Sequence, residues 1–281
     1  MVDLSTSILF NRRLKLLIIA GSIALTVIIF LFAYVLFIAK QVSEFQLHVL
    51  TAIGIAIGLI APSIILIFQS KRRNEIDRLL PQIFVDISEG LRAGMTLIES
   101  IEETSKRDYG WLSKELEILV AQISWGFPID TAFNNFSRRC GTEMTEKTTT
   151  LISTAIRLGG DLRSVFASTA QFLRRTLEVK DERTDQLRPY LSTIYVTLVI
   201  FLVTMFMLYT SFADLFKMQS SVVKIQMTRE GMKILLFDLA VIEALFGGLI
   251  ASKFSEGSIY PGLKHSIIML AINITAFILF F

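Results

Sequence analysis

One cysteine, Cys140, and two widely separated histidines, His48 and His265, are the only soft metal ligands in the sequence apart from methionine. A lone cysteine excludes an intramolecular disulfide and any multi-cysteine zinc or iron–sulfur site, and the histidines do not resemble a metal cluster. No metal or other cofactor is expected. Charge is scarce as well: 19% of residues are Asp, Glu, Lys or Arg, with a formal net charge of +3. Between residues 70 and 188, 18 basic side chains meet 18 acidic ones, so the segment is neutral overall. Nucleic-acid binding needs a dominant basic field, and no such partner is expected. Catalytic signatures are missing too. The sequence contains no G-x-x-x-x-G-K-[ST] phosphate loop, and no H-E-x-x-H, G-x-S-x-G or G-x-G-D. These absences argue against phosphate-loop nucleotide hydrolysis and a membrane aspartyl peptidase, and no catalytic residue is named.

What is present is apolar. Hydrophobic residues make up 53% of the chain and the mean hydropathy is +0.59, above an ordinary globular protein. The excess is concentrated in blocks. Leu16 to Ala39 holds 24 consecutive uncharged residues, Phe45 to Ser70 holds 26, and Pro189 to Ala213 holds 25. At about 1.5 Å per residue each is long enough to cross a bilayer with some tilt. The first run is too long for a signal peptide and lacks a small-x-small cleavage site, so it reads as an uncleaved anchor. A fourth run, Ile234 to Ser252, has 19 residues but carries Asp238 and Glu243, and a fifth has only 16 residues after His265. About five transmembrane helices are expected, the last made possible by local thinning. The clusters Arg12/Arg13/Lys15 and Lys71/Arg72/Arg73 flank the first two runs, which places the amino terminus in the cytoplasm by the positive-inside rule. Five spans then leave the carboxyl terminus outside; Lys217, Lys224 and Arg229, on the loop from Asp214 to Lys233, sit less comfortably there.

The sequence therefore divides into residues 1–70 with two spans, 71–188 as a cytoplasmic domain, and 189–281 with three spans. The middle part has almost no strand signal and repeats a helical grammar. Ile76, Leu79, Leu80, Ile83, Phe84, Ile87 and Leu91 fall at steps of three and four, with Arg78, Asp86, Glu89 and Arg92 on the remaining, polar side. Pro81 marks either a kink or the first turn of that helix. Gly94 is a stop, and Thr96 with Glu99 has the spacing of a capping box. Leu112, Leu116, Leu119, Val120 and Ile123 form the next stripe, closing at Gly126. Pro128 opens another through Ala132, Phe133 and Phe136, ending at Arg138 and Arg139 before Gly141. A fifth helix runs from Thr142 to Gly159-Gly160, and a sixth starts near Asp161. The expected fold is all-α, with a six-helix cytoplasmic bundle. Trp111, Trp125, Phe133 and Phe136 read as core residues, with partial exposure open for the tryptophan beside Gly126. Beyond Leu177 the segment EVKDERTDQLR is charged on every side, which reads as a solvent-bridging strut leading to Pro189.

The pattern LPQIFVDISEGLRAGMTLIESIE, the turn WGFPIDTAF and the later ISTAIRLGGDLRSVF together resemble the type II secretion F family. Its members are inner-membrane platform proteins of type II secretion, type IV pilus, Tad and archaellum machines. The likeness covers roughly residues 70 to 270, and FGGLIASKFSEGSIYPGLKHSI is similar to the carboxyl-terminal spans of archaeal members. None of these motifs is catalytic. General-secretion members carry two such helical domains and this chain has one, so it resembles the half-length Tad-type or archaeal members. The resemblance implies a non-enzymatic platform in the cytoplasmic membrane, with a cytoplasmic assembly ATPase, pilin-like subunits and membrane lipids as partners. It further implies a homodimer, or a heterodimer with a sister platform protein.

The remaining candidate residues each carry two readings. Arg138, Arg139, Arg174 and Arg175 are either a solvated face with helix-dipole and i,i+4 partners such as Glu178, or the surface that docks the ATPase. Asp238 lies one turn inside Lys233, within reach of the interface. Glu243, near mid-span, either faces other helices and holds the bundle together or contacts a pilin-like segment or a subunit seam, with a proton relay as a third role. Gly54 with Gly58, Gly247 with Ala251 and Gly248 with Ser252 have small-x-x-x-small spacing, for packing within the chain or for a dimer seam. The competing function is a small ion-coupled transporter using Asp238 and Glu243, with the helical domain as its regulator; it predicts inverted repeats of spans, and none stands out.

Overall fold

A computed structural model describes residues 12–217, 228–258 and 261–280. It is all-α, with no strand among the described residues. Ten helices follow in order: α1 (Arg12–Ile38), α2 (Glu44–Arg92), α3 (Leu97–Ser105), α4 (Trp111–Ser124), α5 (Ile129–Cys140), α6 (Glu143–Arg157), α7 (Leu162–Leu187), α8 (Pro189–Lys217), α9 (Arg229–Glu256) and α10 (Gly262–Phe280). The chain divides into two compact units, one of Met1–Phe68 with Thr184–Phe281 and the other of Gln69–Arg183.

The first unit holds the apolar runs. Five helical stretches are long and apolar enough to cross a membrane: in α1, in α2, across α7 and α8, in α9 and in α10. The last expected span is longer than its uncharged run, because the helix begins at Gly262 and takes in Lys264 and His265. Lipid gives apolar helices no hydrophobic reason to associate, so packing rests on close approach of small residues. On α9, Ala240, Ala244, Gly248 and Ser252 recur at steps of four, and all are buried. A Cβ at Gly248 would run into the backbone of Ser266 on α10, and Ser266 Oγ donates to the Leu245 carbonyl at 2.8 Å. Phe237 and Phe277 meet edge to face, 5.2 Å between centroids, so α9 and α10 run antiparallel in contact. The G-x-x-x-G step of α2 is also consumed inside the chain: a Cβ at Gly54 would stand 3.0 Å from the Ile29 side chain of α1, and one at Gly58 would run into Thr26.

The second unit holds six helical segments: residues 69–92 of α2, then α3 to α6, then residues 162–183 of α7. The stripe Ile76, Leu80, Ile83, Phe84 and Ile87 is buried against Leu112, Leu116, Phe133, Phe136 and Phe166. Pro81 does not end α2, which continues to Arg92. Its stop is Gly94, with φ +91°, a conformation that suits glycine. Met95 N–H donates to the Gly90 carbonyl at 3.1 Å, and the Thr96–Glu99 box is reciprocal: Glu99 N–H donates to Thr96 Oγ1 and Thr96 N–H donates to Glu99 Oε2. The second bond holds the Glu99 carboxyl below its usual range.

Two sequence expectations change here. Asp86, assigned to the polar side of its helix, is buried at 7% exposure. It accepts from Gln82 Nε2 at 2.8 Å, from Arg107 at 2.9 Å and from the Tyr109 hydroxyl. The reason is the short α3, which turns the chain back so that the α3–α4 loop lands on α2. Burial, and the carboxylate beside it, push the Tyr109 hydroxyl well above its ordinary pKa. The strut is not solvated all round either. Asp181 pairs with Arg78 at 2.8 Å, Lys180 donates to Asn74 at 3.2 Å, and Ser88 Oγ donates to the Arg163 carbonyl at 3.3 Å, so α7 lies antiparallel on α2.

Removing the Tyr109 hydroxyl by Tyr109→Phe is expected to cost about 1–2 kcal/mol of stability, and Asp86→Ala more, because it strands a buried hydroxyl. Denaturant unfolding in detergent, followed by circular dichroism, measures both; a Tyr109→Phe protein as stable as wild type would contradict the latch.

Candidate functional site

The intramembrane carboxylates are not brought together. Five residues apart on α9, Asp238 and Glu243 point about 140° apart around the helix axis. Asp238 Oδ1 lies 2.9 Å from His48 Nδ1 of α2, so it has a partner within the unit. One turn away, the Lys233 ammonium stands over the Phe45 ring, 3.8 Å from its centroid. Glu243 Oε2 is buried without a hydrogen-bond partner among the described residues. Asn273 of α10 is fully buried, and neither its amide nitrogen nor its oxygen has a partner there. A two-carboxylate ion site, as a transporter would need, is not built. Of the small-residue steps, Gly248 is closed against Ser266, and a Cβ at Gly247 would meet Met269 Sδ at 3.4 Å.

In the second unit, the four arginines separate into two kinds. Arg139 Nε donates to Glu115 Oε2 at 2.6 Å, and Arg72 stands on the other oxygen at 3.8 Å while its guanidinium lies 5.9 Å from the centre of the Trp111 ring. Arg139 thus joins α5 to α4, and its charge is spent inside the unit. Burial pushes the neighbouring Cys140 thiol up to about 12, with the Glu115 carboxylate adding to the effect, so this thiol is unreactive at neutral pH. Arg138, Arg174 and Arg175 are exposed, and none has an ion-pair partner among the described residues; the Arg174–Glu178 pair expected from spacing is not made. Arg138 lies on the rim of a groove of about 510 Å³ between α5 and α6, which also takes in Asn134, Thr142, Glu143, Glu146 and Thr150. The aromatic residues divide as well. Phe133 and Phe136 are core and Trp111 packs against it, whereas Trp125 is 79% exposed. Trp125 sits at the α4–α5 turn, where Gly126 at φ +86° reverses the chain and leaves the indole outside.

Residues 86–210 match the family described as Type II secretion system (T2SS), protein F. Over that stretch the chain is similar to the type II secretion F domain. The matched stretch starts at Asp86 in α2, takes in α3 to α7 and ends within α8. Proteins of this family are membrane platform proteins of secretion and pilus type, and the five membrane-length helices make this a multi-pass membrane protein. An uncharacterized protein of Methanocaldococcus jannaschii is 24% identical over 205 residues, covering 73% of this chain and 34% of that relative. The chain spans about a third of that relative's length. No solved structure matches it.

The second unit's ionic joints, Asp86 with Arg107 and Tyr109, and Glu115 with Arg72 and Arg139, were not legible from spacing, because each bridges segments that only the fold brings together. Asn273 had a usable signal, as an amide inside an apolar run at bilayer depth. A third joint, at Asp77, holds its proton to higher pH than an exposed carboxyl does. Burial raises its pKa, a hydrogen bond to the Thr142 side chain partly offsets this, and Oδ1 has no partner among the described residues. The folded state therefore holds the Asp77 proton to higher pH than the unfolded chain does. Its contribution is fully present below the unfolded pKa and is lost as pH rises through the folded one. Asp77→Asn is expected to raise the melting temperature at pH 7 and leave it nearly unchanged at pH 4; an equal or larger loss at pH 7 would show that the ionised carboxylate is stabilising.

Proposed function

We propose that this chain is a platform in the cytoplasmic membrane for the assembly of type IV pilin-like filaments. The observation that carries the reading is the F-family match on a helical unit with membrane-length helices on both sides of it in sequence. On this reading residues 71–188 stand in the cytoplasm, with the amino terminus on the same side, as the Lys71/Arg72/Arg73 cluster after the second span favours. A cytoplasmic assembly ATPase docks on that unit. Its movement passes to the membrane helices along α2 and along the α7–α8 stretch, and the membrane unit lifts pilin-like subunits toward the filament.

Three exposed arginines, Arg138, Arg174 and Arg175, are available to an acidic ATPase surface; Arg139 is held by Glu115. Glu243 and Asn273, each with a buried polar group lacking a partner among the described residues, are the positions in the membrane unit where a polar group of an incoming transmembrane segment would gain most. On this reading the platform pairs this chain with another copy or with a sister platform protein.

The binding step is tested with the full chain in detergent and its cognate secretion ATPase. Co-purification is expected at low salt, weakening but persisting at physiological salt as exposed charge pairs are screened. Failure to associate at both salt concentrations would sink the reading.

A further inference from the structure

Two polar side chains at mid-helix in the first unit are unsatisfied. Glu243, at the middle of α9, buries Oε2 without a hydrogen-bond partner among the described residues, and Asn273, near the middle of α10, is fully buried with neither Nδ2 nor Oδ1 partnered there. At bilayer depth each such atom is costly. The packing of the two helices puts them at one level. α9 and α10 run antiparallel, and the α9 face at Gly247 meets Met269, since a Cβ at Gly247 would stand 3.4 Å from Met269 Sδ. Glu243 is one turn before Gly247 and Asn273 one turn after Met269, so both steps go the same way and end on facing positions. Phe237 against Phe277, 5.2 Å between centroids, and Gly248 against Ser266 bracket this level on its two sides. The buried Ala240 and Ala244 keep the α9 side small there.

The unsatisfied atoms decide what completes the site. An amide needs an acceptor for Nδ2 and a donor for Oδ1. An ionised Glu243 offers acceptors only, so Oδ1 stays bare and a full charge stays at mid-membrane. A metal cation between the two side chains would satisfy the carboxylate and Oδ1 but leave Nδ2 unserved. A protonated carboxyl serves both amide atoms: its O–H donates to Asn273 Oδ1, its other oxygen accepts from Nδ2, and no net charge remains. We infer that Glu243 and Asn273 form a proton-binding site in the membrane unit, a neutral acid–amide pair that closes α9 on α10. One proton enters from solvent and is held on the carboxyl; its release breaks the bond to Oδ1 and leaves a carboxylate in the seam. The other ionisable groups nearby are engaged elsewhere. Asp238 faces another side of α9 and meets His48 of α2, while His265, about 12 Å back along α10, meets Tyr195 of α8 at 2.9 Å, with Lys264 beside it paired to Glu256. Tyr209 of α8 lies under Arg229 at the start of α9. The site does not depend on the platform reading: before any incoming segment arrives, the two residues serve each other.

The test is infrared spectroscopy on the full chain in lipid vesicles at pH 7. The difference between wild type and Glu243→Gln is expected to show one protonated-carboxyl stretch. Asn273→Leu is expected to move that band to higher frequency, because the carboxyl C=O loses the amide donor. Should Asn273→Leu fail to fold, crosslinking decides the contact: a protein with Glu243→Cys and Asn273→Cys is expected to form a disulfide on mild oxidation, and one with Glu243→Cys and Ala271→Cys, on the outer side of α10, is not. A carboxylate stretch alone from Glu243 would overturn the proton site. So would a protonated band that a folded Asn273→Leu protein leaves in place, or a Glu243→Cys/Asn273→Cys protein that does not crosslink. None of these results bears on ATPase co-purification, so the platform reading stands or falls separately.

Discussion

Within a bilayer there is no water to take up a peptide N–H or C=O, so a chain that enters must keep its hydrogen-bond ladder intact until it leaves. In α2 that constraint reaches further than the apolar run. The uncharged stretch ends at Ser70, but the helix continues to Arg92, changing from a helix apolar on nearly every side to one with a single buried stripe. Extending a helix already nucleated costs little per residue, so nothing at Lys71 stops it; only Gly94, where the left-handed turn is free of steric cost, does. The position of every later element of the second unit follows from that stop. Gly90 lets α3 come close, since a Cβ there would stand 2.7 Å from Ser100 Oγ, and the loop after α3 is then delivered to Asp86.

The two units hold together by different physics. In the first, small residues on α9 and α10 bring backbones close enough for dispersion and for the Ser266–Leu245 bond. The many large side chains on its outer faces, such as Leu31, Ile64, Val203 and Phe246, stay exposed, as suits a lipid-facing surface. In the second, apolar burial supplies the drive and buried carboxylates fix the register. Asp86 and Glu115 each gather donors from another segment, which offset the cost of holding these carboxylates away from water. Arg72, Arg107 and Arg139 are thus used inside the unit, whereas Arg138, Arg174 and Arg175 stand exposed.

Most of the helices were legible because the signals were local: apolar steps of three and four, Gly94, the Thr96–Glu99 box, Pro128, Gly141 and Thr142 each coincide with a helix stripe or end. The failures have two causes. Asp86 was placed on the polar side and is buried, Trp125 was read as core with partial exposure left open and is largely exposed, and the segment after Leu177 was read as solvated all round yet pairs with α2. For Asp86 and the strut the partner lies far along the chain, where periodicity carries no information, and for Trp125 the Gly126 turn sets the indole outside. The candidate arginines show the same limit: Arg138 and Arg139 are indistinguishable in sequence, and only the placement of Glu115 on α4 separates the one that is spent from the one that is free.

On the proposed platform reading, force passes between the second unit and the membrane helices through the continuous α2. Inserting four glycines after Gln69 breaks the α2 ladder between the two units without removing any side chain. The account predicts that the protein keeps its helical content and its ATPase affinity, while filament assembly in cells is lost. Assembly at the wild-type level with the ladder interrupted would contradict it.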